Sequence, residues 1–216
     1  MSGNENNIEL ELRSEVNDIE LILSKLNSFG KLISQTNRLA VMNFGQINNM
    51  DFDIRIRITN GESEVVIKKG DFHSHNREEI SQRICIEEFI GFVKIFASMD
   101  FHIKVGERIS YNYDLGNNII ATLVKAGDTS YIEIEKMTNK QEEQAVRKEL
   151  DIILNILELR PIESREKFDK LCNKINNGPS DWRFNGKEED YEKLKSLLSN
   201  YVLLYKLQDN VLASQK

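Results

Sequence analysis

The chain has 216 residues, 40% hydrophobic and 30% charged, with a formal net charge of −6. That describes one globular domain, or one domain with an appendage, able to bury a core without disulfides. It excludes a nucleic-acid module working through a bulk basic surface, and no apolar run approaches the ~20 residues of a membrane helix. The polar first seven residues lack an apolar signal core, and Cys85 and Cys172 form no CxxC pair. A reducing, cytoplasmic location is expected, with two structural thiols.

Residues 8–13, Ile-Glu-Leu-Glu-Leu-Arg, alternate strictly and predict a half-buried strand. Asn17, with Glu20 three residues on, is the expected cap of a helix ending near Gly30, and a strand is expected over 32–44. Residues 51–58 alternate again, and Asn60-Gly61 predicts a hairpin turn into a partner strand, Glu64 to Lys69. A polar loop over 70–77 precedes a strand at 79–86 and a helix from Glu87 to Met99. Strands follow near 101–114, 119–125 and 131–135, separated by Leu115-Gly116-Asn117-Asn118 and by a turn at 126–129. From Gln141 the period changes to 3.6, predicting helices at 141–158, 164–176 and 188–206, with residues 177–186 as a linker. Antiparallel strands with outer helices make an α+β protein.

The residues alternating with the aliphatics carry the chemistry. Glu9, Glu11 and Arg13 oppose Ile8, Leu10 and Leu12. Asp53, Arg55 and Arg57 oppose Ile54, Ile56 and Ile58, and Glu133 and Glu135 oppose Ile132 and Ile134. In an ordinary two-layer sheet such a polar face is simply wet. In a closed or nearly closed barrel it lines a lumen. Arginines at i and i+2 lie about 6.6–6.8 Å apart on one face, a spacing that suits successive phosphates. Carboxylates together with substrate phosphates are what Mg²⁺ or Mn²⁺ requires.

The ordered motifs resemble the CYTH superfamily, the triphosphate tunnel metalloenzymes. Glu9-Leu10-Glu11-Leu12-Arg13 is similar to its N-terminal Glu-x-Glu-x-Lys strand, Arg55-Ile56-Arg57 to its Arg-x-Arg strand, and Lys68-Lys69-Gly70 to the partner strand's end. Arg83 with Glu87, Lys104 with Arg108, and Glu133-Ile134-Glu135 follow in the family's order. Residues 154–161 and Ser164 to Leu171 resemble its closing segment. The chain departs from the pattern at Arg13, where the family has Lys. It departs also at Leu123, where an Asp is usual, at Gly106, where a Lys is usual, and at Cys85, where a Glu is usual.

The resemblance implies an eight-stranded antiparallel tunnel or C-shaped barrel with a charged lumen, flanking helices and a helical C-terminal extension. Residues 1–176 would form the tunnel domain and 177–216 the extension. Glu9, Glu11, Glu133 and Glu135 would hold Mg²⁺ or Mn²⁺. Arg55, Arg57, Arg83, Arg108 and Lys68 or Lys69 would bind phosphates, with Arg13 joining them; alternation favours Lys68 and the neighbouring Gly favours Lys69. Glu9, Glu11 and Arg13 form the expected catalytic strand.

The implied activity is metal-dependent hydrolysis of inorganic, thiamine or nucleoside triphosphate. Cyclisation of a nucleotide, as in class IV adenylyl cyclases, and non-catalytic sensing of a nucleotide or polyphosphate are the alternatives. The expected partner is a small-molecule triphosphate or nucleotide, with neither membrane nor nucleic acid. The Tyr191, Leu194, Leu197, Leu198, Tyr201 and Tyr205 stripe suits core packing or a homodimer face. His73-Ser74-His75 lacks a nearby third ligand and reads as a solvated loop, and Trp182-Arg183-Phe184 reads as an aromatic anchor. No P-loop, HExxH or GxSxG sequence occurs.

Overall fold

A computed structural model of the chain describes residues 8–70, 78–178 and 181–213. The strands are β1 (Ile8–Val16), β2 (Lys31–Ile47), β3 (Met50–Thr59), β4 (Glu62–Lys69), β5 (Glu78–Ile84), β6 (His102–Asp114), β7 (Ile119–Ala126), β8 (Thr129–Thr138) and β9 (Asp181–Phe184). The helices are α1 (Ile19–Phe29), α2 (Phe89–Ala97), α3 (Glu143–Ile156), α4 (Arg165–Asn176) and α5 (Glu188–Ala213). Strand pairing follows the open path β1-β8-β7-β6-β2-β3-β4-β5, with β9 added beside β6. The class is α+β with a mostly antiparallel sheet, as expected.

The turns follow from residues that tolerate positive φ. Asn60 (49°) and Gly61 (84°) join β3 to β4, while Gly116, Asn117 and Asn118 join β6 to β7. Two expectations are corrected. Asp18, not Asn17, caps α1, its carboxylate accepting from the Leu21 N–H at 3.0 Å. The expected linker contains β9, which pairs with β6 through Ile103↔Phe184 and Gly106↔Asp181. The segment gains ladder hydrogen bonds there that a solvated linker would forgo, and it buries Phe184 in a core.

The chain divides into two compact units, one from the described residues within 1–36 and 108–180, the other from those within 37–107 and 181–216. In the first, Leu12 and Val16 of β1, Ala121 and Leu123 of β7, and Ile132 and Ile134 of β8 form one apolar face. Ile22 and Leu26 of α1 and Val146, Leu150 and Leu154 of α3 share that core. In the second, Ile54, Ile56 and Ile58 of β3 pack with Phe89 and Val93 of α2, Phe184 of β9, and Leu194 and Leu198 of α5. The α5 stripe is thus core packing where its side chains are described.

Each unit therefore spends its aliphatic alternation on a helix-covered core and turns its charged alternation the other way. Leu123 illustrates the consequence. It is 0% exposed within the first core. An acid at 123 would point into hydrocarbon, so the family's acidic position has no equivalent at this residue. Leu123→Ala should cost about 2–5 kcal/mol of unfolding free energy in denaturant titration. Leu123→Asp should fail to fold cooperatively rather than restore a site residue.

Candidate functional site

In the first unit, β1 and β8 set Glu11 opposite Glu135 and Arg13 opposite Glu133. Arg13 lies between two carboxylates. Its Nε is 2.5 Å from Glu11 Oε1 and 2.9 Å from Glu133 Oε1, and its Nη2 donates to Glu11 Oε2 at 2.7 Å. The guanidinium carbon stands 4.7 Å from the ring centre of Phe168 on α4. Burial, followed by the neighbouring Glu133 charge, pushes the Glu11 carboxyl up to about 8. Burial opposes the charge on Arg13, but Glu11 and Glu133 outweigh it and raise its pKa.

Around this cluster, Tyr131 pairs with Glu15, and burial followed by Glu133 raises its phenol. Arg108 is half-buried and contributes charge at Tyr131. Its place on β6, two before Ser110, gives it the alternation of Asn112. Thr122, paired with Glu133, donates to Asn112 at 2.9 Å, and Asn112 donates to Ser34 at 2.8 Å. Glu9 pairs with Met137 through its backbone; its side chain lies outside the described residues.

In the second unit, β3, β4 and β5 bring Asp53, Arg55, Arg57, Glu64, Lys68, Glu79 and Arg83 onto one face by register. Arg55 forks Asp53, with Nε–Oδ1 at 2.9 Å and Nη2–Oδ2 at 2.7 Å, although Asp53 is only 1% exposed. Arg57 Nε donates to Glu64 at 2.8 Å and Lys68 reaches Glu79 at 2.8 Å. The Lys68 hydrogen bond holds the Glu79 carboxyl below its usual range.

The ambiguity between the two lysines is thereby resolved in register. Lys68 pairs with Asp53, while Lys69 pairs with Phe52 and reaches Glu78 at 3.4 Å. Arg83 shares the alternation but is 78% exposed and pairs with Glu62 at 3.0 Å. It borders a cleft of about 450 Å³ also lined by Arg38, Glu62 and Glu64. A Cβ at Gly106 would come within 2.7 Å of Asp181 Oδ1 on β9 and 3.0 Å of Met42 Cε, so a side chain there would have to displace these neighbours. Cys85 lies beyond the end of β5. The His73–His75 segment lies outside the described residues.

Among the described residues, no group of three or more His, Cys, Asp or Glu is gathered as a metal cage. The donor set nevertheless fits a divalent cation that takes one or two protein carboxylates and completes its shell from phosphate and water. Glu11 and Glu133 converge, and Glu11 Oε1 is buried without accepting a well-formed hydrogen bond.

Phe168, Glu79 and Asn112 belong to these faces but were not singled out from sequence. The signal that could have found Glu79 is alternation within β5, which puts it on the face of Arg83. Phe168 had no signal, since its contact depends on where α4 packs.

No sequence-family model matches the chain, and no curated protein does. Solved structures do match in fold. PH1012 from Pyrococcus horikoshii OT3 is 20% identical with a TM-score of 0.54, covering 71% of this chain and 92% of its own. A candidate adenylate cyclase from Vibrio parahaemolyticus is 12% identical at 0.53, covering 76% and 97%. HpAC1 from Hippeastrum, a candidate adenylyl cyclase with a dominant triphosphatase activity, is 16% identical at 0.50, covering 77% and 96%. The chain has the fold of these proteins, which is the fold its motif order implied.

Two outcomes follow. Glu11 keeps its proton in the folded state to about 8, against 4.5 ordinarily. Between those values the native state binds the extra proton, so stability should fall as pH rises and be lowest above the folded value. Glu11→Gln should flatten that fall in melting temperature against pH; an unchanged slope would assign it to other groups. Lys68→Ala should raise the Glu79 pKa toward its ordinary value by removing the ion pair that lowers it, read by NMR titration, whereas Lys69→Ala should leave it unchanged.

Proposed function

We propose that the protein binds a small-molecule triphosphate and hydrolyses it with the help of Mg²⁺ or Mn²⁺. The observation carrying this is the opposition of faces within each unit. Arg55, Arg57 and Lys68 share one strand face of the second unit, away from a helix-covered core. Glu11, Arg13 and Glu133 share one of the first. A row of cations for phosphates and a pair of carboxylates for a metal are the two requirements of polyphosphate chemistry. The triphosphatase activity of HpAC1, a neighbour in fold, supports the same reading.

Arg55 and Arg57, spaced about 6.6–6.8 Å along β3, would grip successive phosphates, with Lys68 beside them and Arg83 at the margin. Asp53 and Glu64 hold the arginines oriented before the ligand arrives. Arg108 and Arg13 would add charge near the carboxylates. Glu11 and Glu133 would hold the cation, with Glu9 and Glu135 the further acids of the same two strands. Bound there, the metal would neutralise charge developing on the phosphoryl oxygens. The chain's own part is positioning and electrostatics, which carry most of phosphoryl transfer, so no nucleophilic side chain is needed.

One observation favours a second reading, non-catalytic binding: Arg13 already engages both Glu11 and Glu133. Assays with inorganic triphosphate, thiamine triphosphate and ATP, under Mg²⁺ and Mn²⁺, separate the readings. With ATP, hydrolysis of the terminal phosphoanhydride releases ADP and phosphate, whereas cyclisation releases cyclic AMP and pyrophosphate; inorganic triphosphate on hydrolysis gives phosphate and pyrophosphate together. Glu133→Gln combined with Glu135→Gln should abolish turnover with the fold intact. Arg57→Ala should remove most ligand-induced thermal stabilisation, the loss of a contact worth about 1.5–3 kcal/mol. Stabilisation without either product supports pure binding. No stabilisation by any polyphosphate overturns both.

A further inference from the structure

A guanidinium lying across two carboxylates occupies the place in which a divalent cation would be attracted. Arg13 does this with three contacts of 2.5 to 2.9 Å to Glu11 and Glu133. Its side chain is 27% exposed, and those of Glu11 and Glu133 are 19% and 26% exposed, so solvent screens the cluster only in part. The contacts use the planar fork, which presents several donors at fixed angles. Phe168 lies against the same group, 4.7 Å from ring centre to guanidinium carbon. α4 itself is seated by Leu171 and Ile175, which pack with Ala126 and Tyr131, so Phe168 is held where it meets Arg13.

We infer that Arg13 is the resident counter-ion of the Glu11–Glu133 pair, so that a divalent cation binds there only as the guanidinium withdraws, and that Phe168 sets how readily it withdraws. This rests on the reading that the pair holds a divalent cation. The physical basis is exclusion: both cations need the same oxygens, and one carboxylate pair cannot fully neutralise both. Metal affinity in the absence of substrate is therefore weak by construction. An incoming phosphate, offering Arg13 a new anion, would release the carboxylates. Arg13 is then a positioning residue whose two partners are alternatives, and Phe168 acts through it.

The test is binding of Mn²⁺ alone, without any phosphate compound, followed by calorimetry and by the electron paramagnetic resonance signal of free Mn²⁺. Arg13→Ala should bind Mn²⁺ about tenfold or more tightly than the unaltered protein, the order expected when one charge-assisted contact ceases to compete. Arg13→Lys should gain less, since a point charge still competes but without the fork. Phe168→Ala, which keeps Arg13, should raise affinity by a smaller factor, and it stands as the test should Arg13→Ala fail to fold. Adding Glu133→Gln to Arg13→Ala should cancel the gain. Mn²⁺ binding of equal strength in the unaltered protein and both Arg13 variants would overturn the inference and leave the metal reading intact. No Mn²⁺ binding to any folded variant would overturn both.

Discussion

The period of two in the β-strand is the constraint on which everything else depends. A strand that alternates isoleucine with arginine must give one face to hydrocarbon and the other to charge, and a one-residue slip would exchange them. Covering the aliphatic face fixes the register. In the first unit α1 and α3 do so, in the second α2, α5 and β9. The charged face is a by-product of core burial: Ile54, Ile56 and Ile58 leave Arg55 and Arg57 only one direction.

Charge so gathered has to be balanced locally. Like charges directly across a ladder are unfavourable, yet Glu11 faces Glu135 in register. Arg13, two residues further along β1, relieves this, and burial with Glu133 keeps Glu11 protonated well above the usual carboxylate range. The second unit resolves the opposite excess with Asp53, Glu64 and Glu79. Such pairs contribute little net stability once desolvation is counted; they orient side chains instead. A net charge of −6 for the whole chain conceals this segregation.

Most of the strand architecture was legible because alternation is local. The faces of Glu11, Arg13, Arg55, Arg57 and Glu133, the Asn60-Gly61 hairpin and the change of period at Gln141 all depend on near neighbours in sequence. The rest depends on long-range packing. β9 reads as linker because Trp182-Arg183-Phe184 becomes a strand only beside β6. The surroundings of Gly106 have the same origin, since Asp181 reaches the place of a Cβ only once β9 pairs with β6. Leu123 shows where counting along a motif fails: spacing alone aligned it with an acid, whereas pairing with Ile132 commits it to the core. Lys68 and Lys69, tied by competing local cues, are separated by one fact of register, the pairing of Lys68 with Asp53.

The arginine at position 13, where the family that the motifs resemble has lysine, follows the same logic of long-range partners. A lysine ammonium is a compact, strongly hydrated point charge, able to sit against one carboxylate or turn toward a phosphate. A guanidinium spans two carboxylates at once and offers a flat face to an aromatic ring. Here the two carboxylates come from strands far apart in sequence, and the ring comes from α4, 155 residues after Arg13. Glu11, Glu133 and Phe168 together therefore suit arginine and would leave a lysine underused. Arginine at position 13 is thus coupled to the packing of α4, and the way Glu11 and Glu133 are held together is a property of three elements rather than of one strand.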